Sequence, residues 1–154
     1  MKLEELFHAD CIFIPKEPYD VIGHSDGVVR FVAEDRVLIN DYSGIDPGYE
    51  TRLRRLLEKN GLEVETLPMF EEKRKPVRGK LQSAVGIYIN YLRVGDVVVV
   101  PAYNTPEDQL ALEKIRQVMP DAKVFQLLCC NLAKEGGVLN CISWTIKDKA
   151  AIGK

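Results

Sequence analysis

Histidine is scarce in this chain, with two among 154 residues, and no Cys-x-x-Cys pair accompanies them. A structural zinc site, which draws closely spaced cysteines and histidines, is therefore not expected. Cysteine is sparse too: Cys11, Cys129, Cys130 and Cys141 do not make the disulfide scaffold of a small secreted domain. Cys129 and Cys130 are neighbours that would point to opposite faces of a strand, which gives neither a shared metal nor an easy disulfide. No apolar run approaches the roughly 20 residues that span a bilayer. The opening Met1 to Phe7 lacks the apolar centre of a secretory signal, so a cytoplasmic location away from membranes is the expectation. Neither sign of charge prevails, with 21 Lys and Arg against 23 Asp and Glu, and a nucleic-acid footprint over the surface is not expected. The densest basic stretch, Glu71 to Lys80, also holds Pro76 and Gly79 and reads as a solvated loop. There is no phosphate-cradling glycine loop and no serine elbow, so no cofactor is expected.

What the chain does hold is apolar substance, 46% of its residues, enough for one packed domain over residues 1–154. Lys2 to Ala9 reads as a short helix and Cys11 to Pro15 as a brief buried strand ended by proline. Asp26 to Val32 and Arg36 to Asn40 form a strand pair about the turn Glu34-Asp35. Asp46-Pro47 opens a helix as cap and first-turn proline. Tyr49, Leu53, Leu56 and Leu57 give that helix one buried face, and Asn60-Gly61 closes it. Leu62 to Leu67 alternates as a half-buried strand. Gly86 to Val94 and Asp96 to Val100 are a second strand pair. Thr105-Pro106-Glu107-Asp108 reads as a capping box, Leu112, Ile115, Val118 and Met119 line the helix that follows, and Lys123 to Leu128 is the next strand.

These segments repeat. Gly27 corresponds to Gly86, Val37 to Val97 and Pro47 to Pro106, an offset of about 60 residues of the kind that marks repeat architectures. Each unit reads strand, strand, helix, strand. The chain begins with the tail of one such unit (Leu3 to Pro15) and finishes with the head of another (Gly137 to Lys147). In that register Asp26, Asn90 and Cys141 fall at matching places, each at the first strand after a long loop. Units set about a pseudo-symmetry axis would bring such places together.

Three segments then hold residues able to do chemistry. Cys141 follows Gly136-Gly137 and a short apolar run. A free cysteine is ordinarily an inert buried thiol, but two glycines have little use in a strand core unless the backbone must bend or a ligand must approach. His24 and Asp26, two apart, would share a face of a strand. Alone, His24 is a surface residue; beside a carboxylate it is a proton shuttle. A thiol needs such help, because only a few per cent is thiolate at neutral pH. Asn90, in the apolar run Tyr88-Ile89-Asn90-Tyr91, is either a structural hydrogen-bonder or a group facing the site, since an unpartnered amide there costs about 1–3 kcal/mol.

Gly23-His24-Ser25-Asp26-Gly27, Tyr88-Ile89-Asn90, Pro101 with Asp108 to Pro120, and Gly136-Gly137-Val138-Leu139-Asn140-Cys141-Ile142-Ser143 together resemble the C-terminal half of agmatine deiminases and bacterial-type peptidylarginine deiminases, of the guanidino-group-modifying (pentein) superfamily. The resemblance covers almost the whole chain, in order. It implies an α/β class: a partial α/β propeller of ββαβ units, about two and a half blades, with two whole units and flanking half-units. It also implies a hydrolase acting on the C–N bonds of linear amidines. Cys141 would attack the guanidinium carbon, His24 would move protons and Asp26 would grip the cationic nitrogens, with Asn90, Gly137 and Asn140 at the substrate. The partner implied is a small guanidino compound or an arginine side chain. Asn140 stands where these families often have histidine, and family enzymes are about twice as long, their first half bringing a further acidic residue. Two and a half blades leave sheet edges open, so self-association is expected. A relative without turnover, binding a guanidino or amine ligand or a protein partner, is the alternative, and transfer of an amidino group to an amine a third.

Overall fold

Two apolar hairpins, each followed by an amphipathic helix, dictate the architecture of the computed structural model, which describes residues 2–18, 20, 23–70 and 82–146. After a short helix α1 (Lys2–Phe7), the first unit consists of β1 (Val29–Phe31), β2 (Arg36–Asn40), α2 (Pro47–Lys59) and β3 (Glu63–Leu67). The second consists of β4 (Leu92–Val94), β5 (Val97–Ala102), α3 (Glu107–Val118) and β6 (Lys123–Leu128), followed by the single turn α4 (Cys130–Ala133). In each sheet the hairpin is antiparallel and the helix returns the chain to a parallel third strand, giving the orders β1-β2-β3 and β4-β5-β6. The ββαβ repeat read from the sequence is thus present twice, as two mixed sheets of an α/β protein. Among the described residues no helix is long and apolar enough to cross a membrane.

The helices begin where their sequence says. Asp46 accepts the Tyr49 N–H at 2.8 Å and Pro47 occupies the first turn, a cap worth about 1 kcal/mol. Tyr49, Leu53 and Leu57 then bury completely or nearly so. At α3 the capping box is half formed. The Asp108 carboxylate accepts the N–H groups of Thr105 and Tyr103 and the Tyr88 hydroxyl, while the Thr105 hydroxyl pairs with Tyr88 instead of a helical N–H. Burial pushes the Tyr88 phenol well above its ordinary pKa, which keeps it a neutral donor to that carboxylate.

Unit two docks on the outer face of unit one. Leu38 and Leu67, from β2 and β3, are fully buried among unit-two side chains such as Ile115 and Val118. Lys114 of α3 pairs with Glu65 of β3. Arg30 of β1 donates to the Tyr91 carbonyl at 3.2 Å and lies over the Tyr91 ring. The opposite face of that sheet, Val37 and Ile39, packs under α2.

Four expectations are corrected. Cys11 to Pro15 forms no ladder among the described residues. Ile12 and Ile14 still pack against the α2 cluster, and the Tyr49 hydroxyl donates to the Pro15 carbonyl, so the segment is held by side-chain contacts. The strand expected from Gly86 is confined to Leu92–Val94, and Gly86 to Asn90 runs in turns. Gly86 has φ +92°, and a Cβ there would stand 1.9 Å from the Phe70 carbonyl oxygen. Asp26 lies not on a strand but in a 3-10 turn, Ser25–Gly27, and residues 137–146 likewise form turns without a strand. The expected loop Glu71 to Lys80 lies outside the described residues.

Because both the backbone conformation and the Phe70 contact require a glycine, Gly86→Ala is expected to cost about 2 kcal/mol or more. Urea unfolding followed by far-UV circular dichroism measures it, and a midpoint equal to that of the parent would contradict the assignment.

Candidate functional site

Three turns, each placed just ahead of a hairpin or where the next would begin, converge at one end of the two sheets. The first holds Asp26. Its position is fixed from behind by Asn40, a buried amide at the end of β2 that donates to the Gly27 carbonyl at 2.7 Å and lies 3.3 Å from the Tyr42 hydroxyl. The second holds Asn90, 3% exposed between the buried Tyr88, Ile89 and Tyr91. The third is anchored by Val138 and Leu139, both buried, and leaves Cys141 exposed. Its backbone is tied to the second turn by the Asn140 N–H donating to the Asn90 carbonyl at 3.2 Å.

The side chains of these turns form one polar cluster. Oδ2 of Asp26 accepts Nδ2 of Asn90 at 2.9 Å and Nδ2 of Asn140 at 2.7 Å. Oδ1 of Asn90 faces the other way and accepts the Cys141 N–H at 3.4 Å. The Cys141 thiol lies 3.4 Å from that Oδ1 and 3.8 Å from Oδ2 of Asp26, so its proton has two acceptors. Gly137 closes the arrangement: a Cβ there would stand 2.9 Å from Cβ and 3.1 Å from Sγ of Cys141. The double glycine thus has a physical reason, for Gly136 takes φ +90° and Gly137 makes room for the sulfur.

Of the six residues singled out from the sequence, Asp26, Asn90, Gly137, Asn140 and Cys141 meet here. His24 is exposed in the loop leading into the Asp26 turn, and its backbone N–H donates to the Asp20 carboxylate. Among the described residues its imidazole makes no hydrogen bond to Cys141. The two asparagines spend their Nδ2 groups on Asp26. Sequence reasoning missed Asn40, although a polar residue closing the apolar run Val37-Leu38-Ile39 was a visible signal. It also missed Asp20.

The other thiols differ in kind. Cys129 is buried, and desolvation pushes its pKa up. Cys11 and Cys130 are half-buried. With one equivalent of iodoacetamide at pH 7.5, Cys141 is expected to be carbamidomethylated first and Cys129 last, as read by peptide mass mapping. Early labelling of Cys129 would contradict this placement.

The two ββαβ units and their turn-borne site define the class of protein. Solved structures with the same fold include agmatine deiminases: one from C. jejuni superimposes with a TM-score of 0.72 at 20% identity, covering 91% of this chain and 43% of that one. Another, from Enterococcus faecalis and described as catalysing its reaction, gives a TM-score of 0.63 at 24% identity, covering 81% and 40%. At such identities these show the pentein fold. The family follows from sequence: residues 3–146 match the model of the Porphyromonas-type peptidyl-arginine deiminases, and the chain belongs to that family. A provisionally assigned agmatine deiminase of Streptococcus mutans is 32% identical over 149 residues, covering 82% of this chain and 40% of its own length. This chain spans less than half the length of the curated relatives it matches.

Proposed function

We propose that this chain is the cysteine-bearing part of a guanidino-group deiminase: one domain over residues 1–154, built as a partial propeller of about two and a half blades. The observation that carries the reading is the approach of the Cys141 sulfur to 3.8 Å from the Asp26 carboxylate, across three turns that also contribute Asn90 and Asn140. A carboxylate beside a nucleophile suits a planar cation, because a guanidinium offers N–H donors in a fork that matches carboxylate oxygens and presents its carbon to the sulfur.

The reaction assigned to the site is the hydrolysis of a guanidinium to a urea and ammonia. The Cys141 thiolate adds to the guanidinium carbon, and His24 gives a proton to the departing nitrogen, which leaves as ammonia. The S-alkylthiouronium left on Cys141 is attacked by a water from which His24 removes a proton, and the C–S bond breaks to return the thiolate while the hydroxyl proton of the adduct passes to solvent, leaving a ureido product. Asp26 holds the remaining substrate nitrogens throughout. Asn90 and Asn140 hold Asp26 in turn, and Gly137 keeps the approach to the sulfur open.

A second reading has its own observation: the His24 imidazole makes no hydrogen bond to the thiol, and Asn140 puts an amide next to the nucleophile. On that reading the same cleft binds a guanidino or amine compound, or an arginine side chain, without turning it over. Incubation with agmatine, free arginine and a peptidyl-arginine separates the two. The deiminase reading expects ammonia release abolished in Cys141→Ala and reduced at least a hundredfold in His24→Ala. Ammonia at the blank level with all three compounds, alongside binding detected by calorimetry, would favour the second.

A further inference from the structure

The two ββαβ units can be laid on each other residue by residue. The N–H of Glu63 donates to the Asp35 carbonyl as that of Lys123 donates to Asp96, and Arg36 pairs with Glu63 as Val97 pairs with Lys123. In that register Asn40, at the end of β2, corresponds to Pro101 in β5, and Tyr42 corresponds to Tyr103. Asn40, Tyr42 and Tyr103 are all buried.

At this exit each unit aims one buried donor back at the turn ahead of its own hairpin. In unit two the Tyr103 hydroxyl donates to the Ile87 carbonyl at 3.1 Å, in the stretch that leads to Asn90. In unit one Nδ2 of Asn40 donates to the Gly27 carbonyl at 2.7 Å, beside Asp26. The donors differ for a reason. Pro101 has no side-chain hydrogen to give, so in unit two the task falls to the tyrosine. In unit one Tyr42 turns edge-on to Tyr49, with ring centroids 4.9 Å apart, and its hydroxyl accepts from Asn40. Different residue types thus meet the same need twice, each time at a turn that carries a polar group of the site.

Neither donor is explained by packing alone. Oδ1 of Asn40 is buried without a hydrogen-bond partner among the described residues, a cost that an aliphatic side chain would avoid. Tyr103 is held at both ends, its N–H donating to the Asp108 carboxylate and its hydroxyl to Ile87. Burial pushes its phenol well above the ordinary pKa, so it remains a neutral donor. We propose that Asn40 and Tyr103 are positioning residues for the reaction assigned to Cys141: Asn40 sets where the Asp26 carboxylate stands, and Tyr103 sets where Asn90 stands. They act through those two residues, and Asn90 passes the constraint to the nucleophile through the Cys141 N–H. The reaction rests on the deiminase reading, whereas the two clamps do not.

Amide signals and turnover test this separately, in Asn40→Leu and in Tyr103→Phe, the second of which removes a single hydroxyl. In proton–nitrogen correlation spectra, Asn40→Leu is expected to shift the side-chain amides of Asn90 and Asn140, which share Asp26. Tyr103→Phe is expected to shift the Asn90 side-chain amide and the Cys141 N–H. The Asn60 side-chain amide, bound to the Leu56 carbonyl at the end of α2, is expected to stay in place in both. With agmatine, Asn40→Leu is expected to raise KM about tenfold with kcat within about threefold, and Tyr103→Phe to do the reverse, lowering kcat about tenfold. A purely structural role would lower the urea midpoint without moving these signals or splitting KM from kcat, and that result would overturn the proposal. Kinetic constants equal to those of the parent in a folded variant would overturn it too. Should Asn40→Leu fail to fold, Tyr103→Phe decides. Absence of ammonia from the parent would count against the deiminase reading, and the amide shifts would then decide on the clamps.

Discussion

One carboxylate oxygen holds the site together. Oδ2 of Asp26 receives amides from Asn90 and Asn140, residues that belong to three turns and are brought together only by folding. Hydrogen bonds to an ionised acceptor are worth about 1.5–3 kcal/mol each, and Asn90 is almost fully buried, so removing the carboxylate takes the partner from a buried amide. The same oxygen lies within reach of the Cys141 thiol. The group proposed to bind the substrate cation is therefore also the one that sets where the sulfur stands. The asparagines act one step further back, orienting Asp26.

The position of Asp26 depends in turn on how the two units stack. Asn40 fixes its turn to β2, and β2 is fixed against unit two by Leu38, while Arg30 and Lys114 bridge the same boundary on either side. A sheet buried on both faces, as Val37, Leu38 and Ile39 show, does not tilt freely. The distance between the Asp26 turn and the Asn90 turn is then a property of the packed core. The third turn is less constrained. Val138 and Leu139 anchor it, but residues 142–146 lie on the surface, so Cys141 stands between a packed segment and an exposed one.

Much of this was legible in the sequence because it rests on local rules. Asp46-Pro47 and the Tyr49, Leu53, Leu57 spacing specify α2 almost without context, and the repeat placed Asp26, Asn90 and Cys141 at matching positions from a few shared residues. What was not legible is the shape of those positions. Residues before β1 and β4 were read as strand because Ile89 and Val28 are apolar. Yet Gly86 at φ +92° and the 3-10 turn at Ser25–Gly27 bend the backbone so that polar groups turn toward a centre. Periodicity sees apolar content but not curvature. It equally could not see that Cys11 to Pro15 would form no ladder among the described residues, nor that Asn140 would aim its amide at Asp26.

That aim bears on the chemistry available. An imidazole at position 140 could exchange a proton with its surroundings near neutral pH, whereas an amide cannot. Asn140 can only fix the orientation of the carboxylate it donates to. In the proposed reaction proton movement then falls to His24, carried in the loop next to Asp26 with its backbone tied to Asp20. Binding and proton transfer are thus assigned to separate parts of the site. On the proposed reading the cation-binding geometry is built into the stacked units, while turnover depends on one exposed imidazole reaching the nitrogen that leaves. A deiminase built this way would keep its affinity when that loop is disturbed and lose its turnover, which makes the passage between an enzyme and a binding relative a matter of one loop.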